Sequence, residues 1–138
     1  MTITKSIILN FLTSKGKKYT SEKLFNKSLR ELQKIVSKNS KLILKVSIRN
    51  VSPVLDVTRV KRRKVLTSVP FFLKKSKRLS KSIKLIVKSS DVNNSNFSFN
   101  FSKEILDSSK NKGLVISKVK DLHQSSFNNK NFSHFRWF

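Results

Sequence analysis

The chain contains no cysteine and no alanine, and only two glycines and two prolines occur among its 138 residues. The lack of cysteine excludes disulfides, thiolate catalysis and cysteine-ligated zinc. Two glycines cannot build a phosphate-cradling P-loop or a dinucleotide-binding fingerprint. Apolar runs are short as well, and none approaches the roughly 18 residues that indicate a membrane span.

Acidic residues and histidines are also scarce. The seven acidic residues are scattered singly, so they suggest no carboxylate pair for acid–base catalysis. The two histidines, His123 and His134, lie 11 positions apart and therefore form no helical metal-binding pair. For both, a structural or RNA-contacting role is favoured over catalysis. We expect no enzyme, no metal site and no cofactor.

Positive charge is what the sequence has in excess. It carries 31 lysines and arginines against 7 acidic residues, a formal net charge of +24. Self-repulsion of that size opposes compaction unless a polyanion neutralises it. Nucleic acid is the common partner for such a balance, and an anionic membrane surface is the second. Because the basic residues run from end to end, the pattern favours a protein embedded in its partner.

The stretch 50–70 contains the clearest strand signal. Two β-branched runs, Val54–Val60 and Val65–Val69, flank four consecutive basic residues at 61–64. Branched side chains are already restricted at χ1 and pack well on a pleated surface. The pattern predicts a basic β-hairpin over about 54–69, with an ordinary solvated loop as the alternative. An isolated hairpin is barely stable in water, so this one should project from a larger body.

Elsewhere, apolar residues recur at helical spacing and predict amphipathic helices. The first of these helices should end at about Lys38, and Gly113 is well placed as the left-handed C-terminal residue of a later one. Gly16, inside a basic loop, is expected at a turn that needs a positive φ. The predicted helix starts are Thr20 or Ser21, Ser76, Phe97 and Ser117.

The segment 41–49 is ambiguous. Leu42, Leu44, Val46 and Ile48 alternate as a strand would, yet Leu42 and Val46 also fit a helical face together with Ile43. The pattern alone favours a strand.

Two basic clusters suggest anion binding. The first, at 74–78, precedes a predicted helix, where it opposes the helix dipole unless a phosphate lies there. Simple exposed lysines are the alternative. The second is the C-terminal NNKNFSHFRWF, in which aromatic residues alternate with cations, as base stacking and phosphate contact require. The alternative is that its aromatic rings close the core.

Together these segments resemble small-subunit ribosomal protein seven of the bacterial and organellar type. The resemblance runs from about Phe11 to Trp137. Its last motif is the most specific, because Asp-x-His followed by Asn-Lys-x-Phe-x-His-aromatic-Arg-Trp is very improbable by chance. The motifs are KGKKYTSEKLF at 15–25, NVSPVLDV at 50–57, VPFFLKKSKR at 69–78, KEILDSSKNKG at 103–113 and DLHQSSFNNKNFSHFRW at 121–137.

The resemblance implies a mainly α fold: a single-domain helical bundle over 1–138 with one protruding basic β-hairpin and a short basic N-terminal segment (1–10). It therefore replaces the strand preference at 41–49 with a helix that ends at the turn 50–53. The implied function is structural. Such a protein binds the 3′ major domain of small-subunit rRNA and nucleates assembly of the head. Its hairpin lies near the exit-site tRNA and the mRNA path, and proteins nine, eleven and thirteen are its neighbours.

Site residues follow from the resemblance by position. The implied rRNA-binding residues are Lys15, Lys17, Lys18, Lys74, Lys75, Lys77, Arg78, Lys118, Lys120, His123, Asn129, Lys130, His134, Arg136 and Trp137. The implied hairpin-tip residues on the tRNA and mRNA side are Arg59, Lys61, Arg62, Arg63 and Lys64.

Three features depart from the family pattern. Arg63-Lys64 replaces the Gly-Gly that is common at the tip, Lys84-Leu85 replaces a frequent Arg-Trp, and the N-terminal arm is short. A cleavable presequence has almost no room before the match. The chain also has the lysine- and asparagine-rich, alanine-free composition of AT-rich coding, which is frequent in organelle genomes. We therefore expect an organelle-encoded mitochondrial ribosomal protein, with a plastid ribosome as the alternative.

Two other classes stay open on the sequence. A basic amphipathic protein on an anionic membrane would account for the charge and the phenylalanines. A free-standing RNA-binding regulator would share the electrostatics of a ribosomal protein.

Overall fold

A computed structural model describes residues 2–36, 39–62, 64–91 and 96–136. This part of the chain is a mainly α single domain with a two-stranded antiparallel hairpin, which confirms the predicted fold class. The elements are α1 Thr2–Leu12, α2 Lys18–Ile35, α3 Ser40–Val51, β1 Leu55–Arg62, β2 Val65–Phe72, α4 Lys75–Ser90, α5 Phe97–Ser109, α6 Leu114–Asn128 and a C-terminal 3₁₀ helix Lys130–Phe135.

Helix α5 lies at the centre of the bundle, where it contacts α2, α3, α4 and α6. Its Phe101 and Ile105 are almost fully buried. Helix α1, which is not among the predicted helices, also contributes to the core through Ile8 and Leu9. Each of the six α-helices thus buries apolar residues against its neighbours, which is the main source of stability in such bundles.

Serine takes the small positions in the core of this alanine-free chain. Apart from Glu104, all buried polar residues in the described part are serines. Many of their hydroxyls donate to a carbonyl of their own helix, as Ser28 does to Leu24 and Ser90 to Ile86, both over 2.8 Å. These bonds satisfy the buried hydroxyls, so the helices can pack closely without unpaired donors.

The segment 41–49 is helical, so the strand favoured by its pattern is wrong and the helix implied by the family resemblance is confirmed. The side-chain oxygen of Asn39 accepts a hydrogen bond from the backbone N–H of Lys41 over 3.0 Å and caps α3. Leu44 and Ile48 face the core, whereas Leu42 and Val46 are exposed. Their alternation in sequence therefore does not correspond to burial.

Three predicted helix starts are displaced. Helix α2 begins at Lys18, and the hydroxyls of Thr20 and Ser21 donate back to the carbonyls of Lys17 and Lys18 instead of capping the helix. Helix α4 begins at Lys75, before the predicted cap Ser76. Helix α6 begins at Leu114, three residues before Ser117. The predicted end of α2 at Lys38 lies outside the described residues, and the helix ends at Ile35.

The role predicted for Gly113 is wrong. The left-handed residue after α5 is Asn111, with φ +56°, and the N–H of Lys112 donates to the carbonyl of Asp107 over 2.8 Å in a Schellman motif. Gly113 instead precedes α6 with φ +94° and ψ 173°, a region open essentially to glycine alone. Gly16 has φ +74°, so the turn predicted there is confirmed.

The hairpin extends beyond the predicted limit at 69, because β2 continues to Phe72 and includes Pro70, which pairs with Val57. Its register runs from Leu55 opposite Phe72 to Arg62 opposite Val65. Val69 is fully buried near the base, whereas Val65 and Leu66 near the tip are exposed. The base packs on α6 and on the 3₁₀ helix. The tip therefore projects from the helical body.

Candidate nucleic-acid interface

A groove between α3 and the start of α4 gathers four basic side chains. Lys45 and Arg49 lie one turn apart on α3, and Lys75 and Arg78 lie one turn apart on α4, so each pair shares a helix face. Together these four residues, here called the basic groove, line a cavity of about 780 Å³. The two pairs are far apart in sequence and meet only because α3 packs against α4.

Arg78 makes this groove attractive to an anion. It is half-buried, and its Nε atom is buried with no hydrogen-bond partner among the described residues. A buried donor without a partner costs free energy, which a bound acceptor would recover. A phosphate oxygen is such an acceptor, and it also carries the charge that a guanidinium binds best.

The N-terminus of α4 adds to the positive potential. Lys74 occupies the N-cap position and makes no capping hydrogen bond with its side chain, and the first turn contains no acidic residue. The free N–H groups of this turn and the positive end of the helix dipole thus adjoin Lys75. Both effects favour an anion at the end of the groove formed by α4.

No acidic side chain neutralises the basic groove within the described ranges. The ion pairs found there are Lys5–Glu22 at 2.6 Å and Lys81–Asp56 at 2.8 Å, and neither includes a groove residue. The Lys5 ammonium, through its hydrogen bond and its charge, lowers the pKa of the exposed Glu22 carboxyl. Both of these ion pairs use lysines outside the groove, so the four groove cations stay available to a partner.

Of the predicted rRNA-binding residues, Lys75 and Arg78 lie in the groove. Their partners Lys45 and Arg49 were missed by sequence reasoning, since a lysine and an arginine on an amphipathic helix resemble ordinary solvated surface. Lys74 and Lys77 are exposed beside the groove. The exposed loop residues Lys15, Lys17 and Lys18 surround Gly16, and none of them lines the groove as described.

Several predicted residues on α6, or directly after it, form hydrogen bonds within the protein. The Nζ atom of Lys118 donates to Ser89 Oγ over 2.8 Å, and Asn129 Nδ2 donates to the carbonyl of Ser125 over 2.8 Å. The Nε2 atom of His123 accepts a hydrogen bond from the backbone N–H of Val54 over 3.3 Å, which joins α6 to the hairpin base. Lys120 is exposed on the same helix.

The remaining predicted residues lie near the hairpin. Lys130 and Arg136 flank a pocket at its base, and His134 packs against Phe135 with ring centroids 4.1 Å apart. Arg59, Lys61 and Lys64 are exposed toward the tip. The predictions for Arg63, Trp137 and the side chain of Arg62 lie outside the described residues.

The same ranges of the chain contain neither a membrane-spanning helix nor a cluster of metal ligands. Within them, no helix is long and apolar enough to cross a bilayer. Nor do three or more histidine, aspartate or glutamate side chains gather there as they would around a metal ion.

Comparison with known proteins gives one family. The model of "Ribosomal protein S7p/S5e" matches residues 2–130. The chain is 31% identical over 136 residues to small ribosomal subunit protein uS7 of Wigglesworthia glossinidia brevipalpis, covering 96% of this chain and 85% of the relative. It is 30% identical over 130 residues to uS7m of Reclinomonas americana (94% and 82%). It is also 30% identical over 131 residues to uS7 of Bdellovibrio bacteriovorus (94% and 83%).

Proposed function

The chain belongs to the ribosomal protein S7p/S5e family, and we propose that its basic groove binds small-subunit rRNA. The resemblance inferred from the motifs is thereby confirmed. Members of this family are structural, non-enzymatic components of the small ribosomal subunit, so the chain contributes to translation as a structural protein.

The observation that carries the rRNA proposal is the basic groove itself. Four cations from two helices converge there. Among the residues that the structure describes, no acidic side chain pairs with them and Arg78 Nε has no acceptor. Lysine and arginine side chains displace condensed counterions from rRNA phosphates, which supplies affinity that does not depend on sequence. The fixed packing of α3 on α4 sets the spacing of the cations, so the groove selects a particular arrangement of phosphates.

The rRNA target in this proposal is the 3′ major domain, and binding there nucleates assembly of the head. Support comes from the resemblance over nearly the whole chain and from the distribution of exposed cations around the bundle. Junction shape and contacts to 2′-hydroxyls would select the site, as is usual for structured RNA. The loop that contains Lys15, Lys17 and Lys18 and the exposed Lys120 of α6 extend the contact beyond the groove.

The hairpin extends the contact to the exit-site tRNA and the mRNA path. Arg59 and Lys61 are exposed and, two residues apart on β1, point to the same face of the hairpin. Its base packs on α6 and the 3₁₀ helix, which support the two strands that lead toward the tip. Ribosomal proteins nine, eleven and thirteen of the small subunit are the proposed neighbours.

The proposed location is the mitochondrial ribosome, with the plastid ribosome as the alternative. The alanine-free, lysine- and asparagine-rich composition supports an organelle genome. The similarity to uS7m of Reclinomonas americana agrees with this, although bacterial relatives are equally similar. Recovery of the chain from purified mitochondrial ribosomes would support the proposal, and recovery only from plastid or cytosolic ribosomes would overturn it.

The role of the basic groove is tested by measuring the affinity of the protein for a transcript of the 3′ major domain. The double variant Lys45→Gln, Arg49→Gln removes two groove charges, and Lys110→Gln, Lys112→Gln removes two exposed charges from the loop between α5 and α6 as a control. We expect the groove variant to weaken binding by about tenfold or more and to reduce the slope of log K against log[salt] by about two. A loss no greater than that of the control would overturn the role of the groove.

A further inference from the structure

A second pocket lies where the base of the hairpin meets the C-terminal segment. Phe71 and Phe72 line it from the end of β2, Phe127 from the last turn of α6, and Lys130 and Arg136 from the 3₁₀ helix and the residue after it. These five residues, here called the aromatic pocket, border a cavity of about 420 Å³. A cavity of this volume has room for a whole nucleotide.

Two rings of this pocket are unusually exposed. Phe72 is 65% and Phe127 is 63% exposed, whereas Phe101 in the core is 2% exposed. Exposed apolar surface that is concentrated at one concave site marks a place where something binds. Phe132 and Phe135 of the 3₁₀ helix stack on each other, with centroids 5.9 Å apart. These two rings therefore stack within the 3₁₀ helix, and the Phe127 ring stays exposed.

The charges around the rings indicate the class of occupant. Lys130 Nζ lies 4.8 Å from the centroid of the Phe127 ring, and Arg136 lines the same cavity. None of the described lining residues is acidic. An apolar peptide would cover the rings but would leave both cations without a counter-charge. A nucleotide supplies a flat base for the rings and a phosphate for the cations.

We propose that the aromatic pocket holds one unpaired nucleotide of RNA, with its base stacked on Phe127 and Phe72 and its phosphate bound by Lys130 and Arg136. The nucleotide is unpaired because a base inside a duplex has no free face to offer. Every base has a π-face, so the pocket selects for a single strand more than for a particular base. This inference rests on the proposed function, since it requires RNA as the partner.

The test uses the full chain and an eight-nucleotide oligouridylate that contains one 2-aminopurine, whose fluorescence falls when it stacks on an aromatic ring. Phe127→Leu and Phe72→Leu keep apolar side chains but remove the rings. Phe99→Leu is the control, because Phe99 is 54% exposed on α5 and is not among the pocket residues. Circular dichroism checks that each variant folds.

We expect wild type and Phe99→Leu to quench the probe, and each pocket variant to lose the quenching and to bind about five- to a hundredfold more weakly. Equal quenching and affinity in wild type and both pocket variants would overturn the inference. The basic-groove variant separates the two proposals, since it should lose affinity for the 3′ major domain transcript yet quench the probe at saturation. Failure of wild type to bind either RNA would overturn both proposals.

Discussion

Glu104 Oε1 accepts a hydrogen bond from the backbone N–H of Val115 over 2.9 Å. This contact joins two helices, because the carboxylate belongs to α5 and the amide to the first turn of α6. Gly113 occupies the N-cap position of α6 and has no side chain that could cap the helix. A carboxylate from the neighbouring helix therefore replaces the missing cap and meets the positive end of the α6 dipole.

We expect Glu104→Ala to lower the free energy of unfolding by about 1–2 kcal/mol, because it removes both the cap and the favourable charge. Urea denaturation at moderate salt measures the change. Asp121→Ala, which removes an exposed acidic residue within α6, is the matched control and should change stability by less than about 0.5 kcal/mol. Equal losses in the two variants would show that Glu104 acts only through overall charge.

Gly113→Ala tests the same junction from the other side. An added Cβ would lie 3.0 Å from Asp107 Cβ and 3.1 Å from Glu104 Oε1, and the residue would have to keep φ at +94°. We expect a loss of about 1–3 kcal/mol from the backbone conformation alone. Gly16→Ala provides the comparison, since an added Cβ there meets nothing within 4 Å and only the φ of +74° opposes it. A smaller loss at Gly113 than at Gly16 would contradict the close approach of α5 to α6.

The buried serines should differ in how much they contribute to the free energy of unfolding. The contribution should depend on whether the hydroxyl bonds to another helix or within its own. Ser47 Oγ and Ser108 Oγ lie 2.6 Å apart between α3 and α5, and Ser108 also donates to the carbonyl of Glu104. The hydrogen bond between the two hydroxyls therefore joins α3 to α5. We expect Ser47→Ala to cost about 1 kcal/mol.

Ser126→Ala is the contrast to Ser47→Ala. Its hydroxyl donates within α6, to the carbonyl of Leu122 over 2.8 Å, and alanine has the higher helix propensity. We expect this change to be neutral within about 0.5 kcal/mol. Thermal or urea unfolding measures the stability of both variants. Equal losses in Ser47→Ala and Ser126→Ala would contradict a larger contribution from the hydroxyl that bonds between helices.

The Lys5–Glu22 pair predicts a pH dependence with a definite sign. Lys5 lowers the pKa of the Glu22 carboxyl below its ordinary value of 4.5 in the folded protein. The resulting stabilisation is present above the pKa of the unfolded state and disappears as the pH falls through the folded pKa. An NMR titration should find this lowered pKa in wild type and an ordinary one in Lys5→Met. An unchanged Glu22 pKa in the variant would contradict the pairing.

The net charge of +24 should make the RNA-free protein sensitive to salt. Repulsion among the cations opposes compaction and is screened as ionic strength rises. We expect poor solubility or partial disorder at low salt, and a midpoint of thermal unfolding that rises with added salt. A sharp, reversible unfolding transition near neutral pH in low salt would contradict this expectation.

Much of the fold could be predicted from the sequence, because its apolar and β-branched residues recur in patterns that are typical of helices and strands. The hairpin follows from the β-branched runs around 61–64, and the helices from apolar residues at helical spacing. The prediction from the pattern at 41–49 was wrong because the alternation favoured a strand, whereas two of its apolar residues, Leu42 and Val46, are exposed on a helix. The start of α2 was predicted too late in the sequence, at Thr20 or Ser21. The residue type does not show whether a hydroxyl caps a helix or bonds back to a carbonyl.

The sites were harder to predict because they are formed by packing. Lys45 and Arg49 become significant only when α3 places them opposite Lys75 and Arg78, which lie about a fifth of the chain away in sequence. Likewise, Phe72 and Phe127 line the same pocket only because the hairpin base packs on α6. Local spacing contains no signal for either contact. Motif resemblance found the basic cluster at the start of α4 but not the residues that complete it.

The most direct test of the central claim is gradient fractionation of the native extract, with each fraction probed for this chain. A structural protein bound to rRNA through the basic groove should co-migrate with the small subunit and remain there through a high-salt wash. The Lys45→Gln, Arg49→Gln variant should be partly released by the same wash. Wild-type protein that sediments free of the subunit, or with membranes, would contradict the claim.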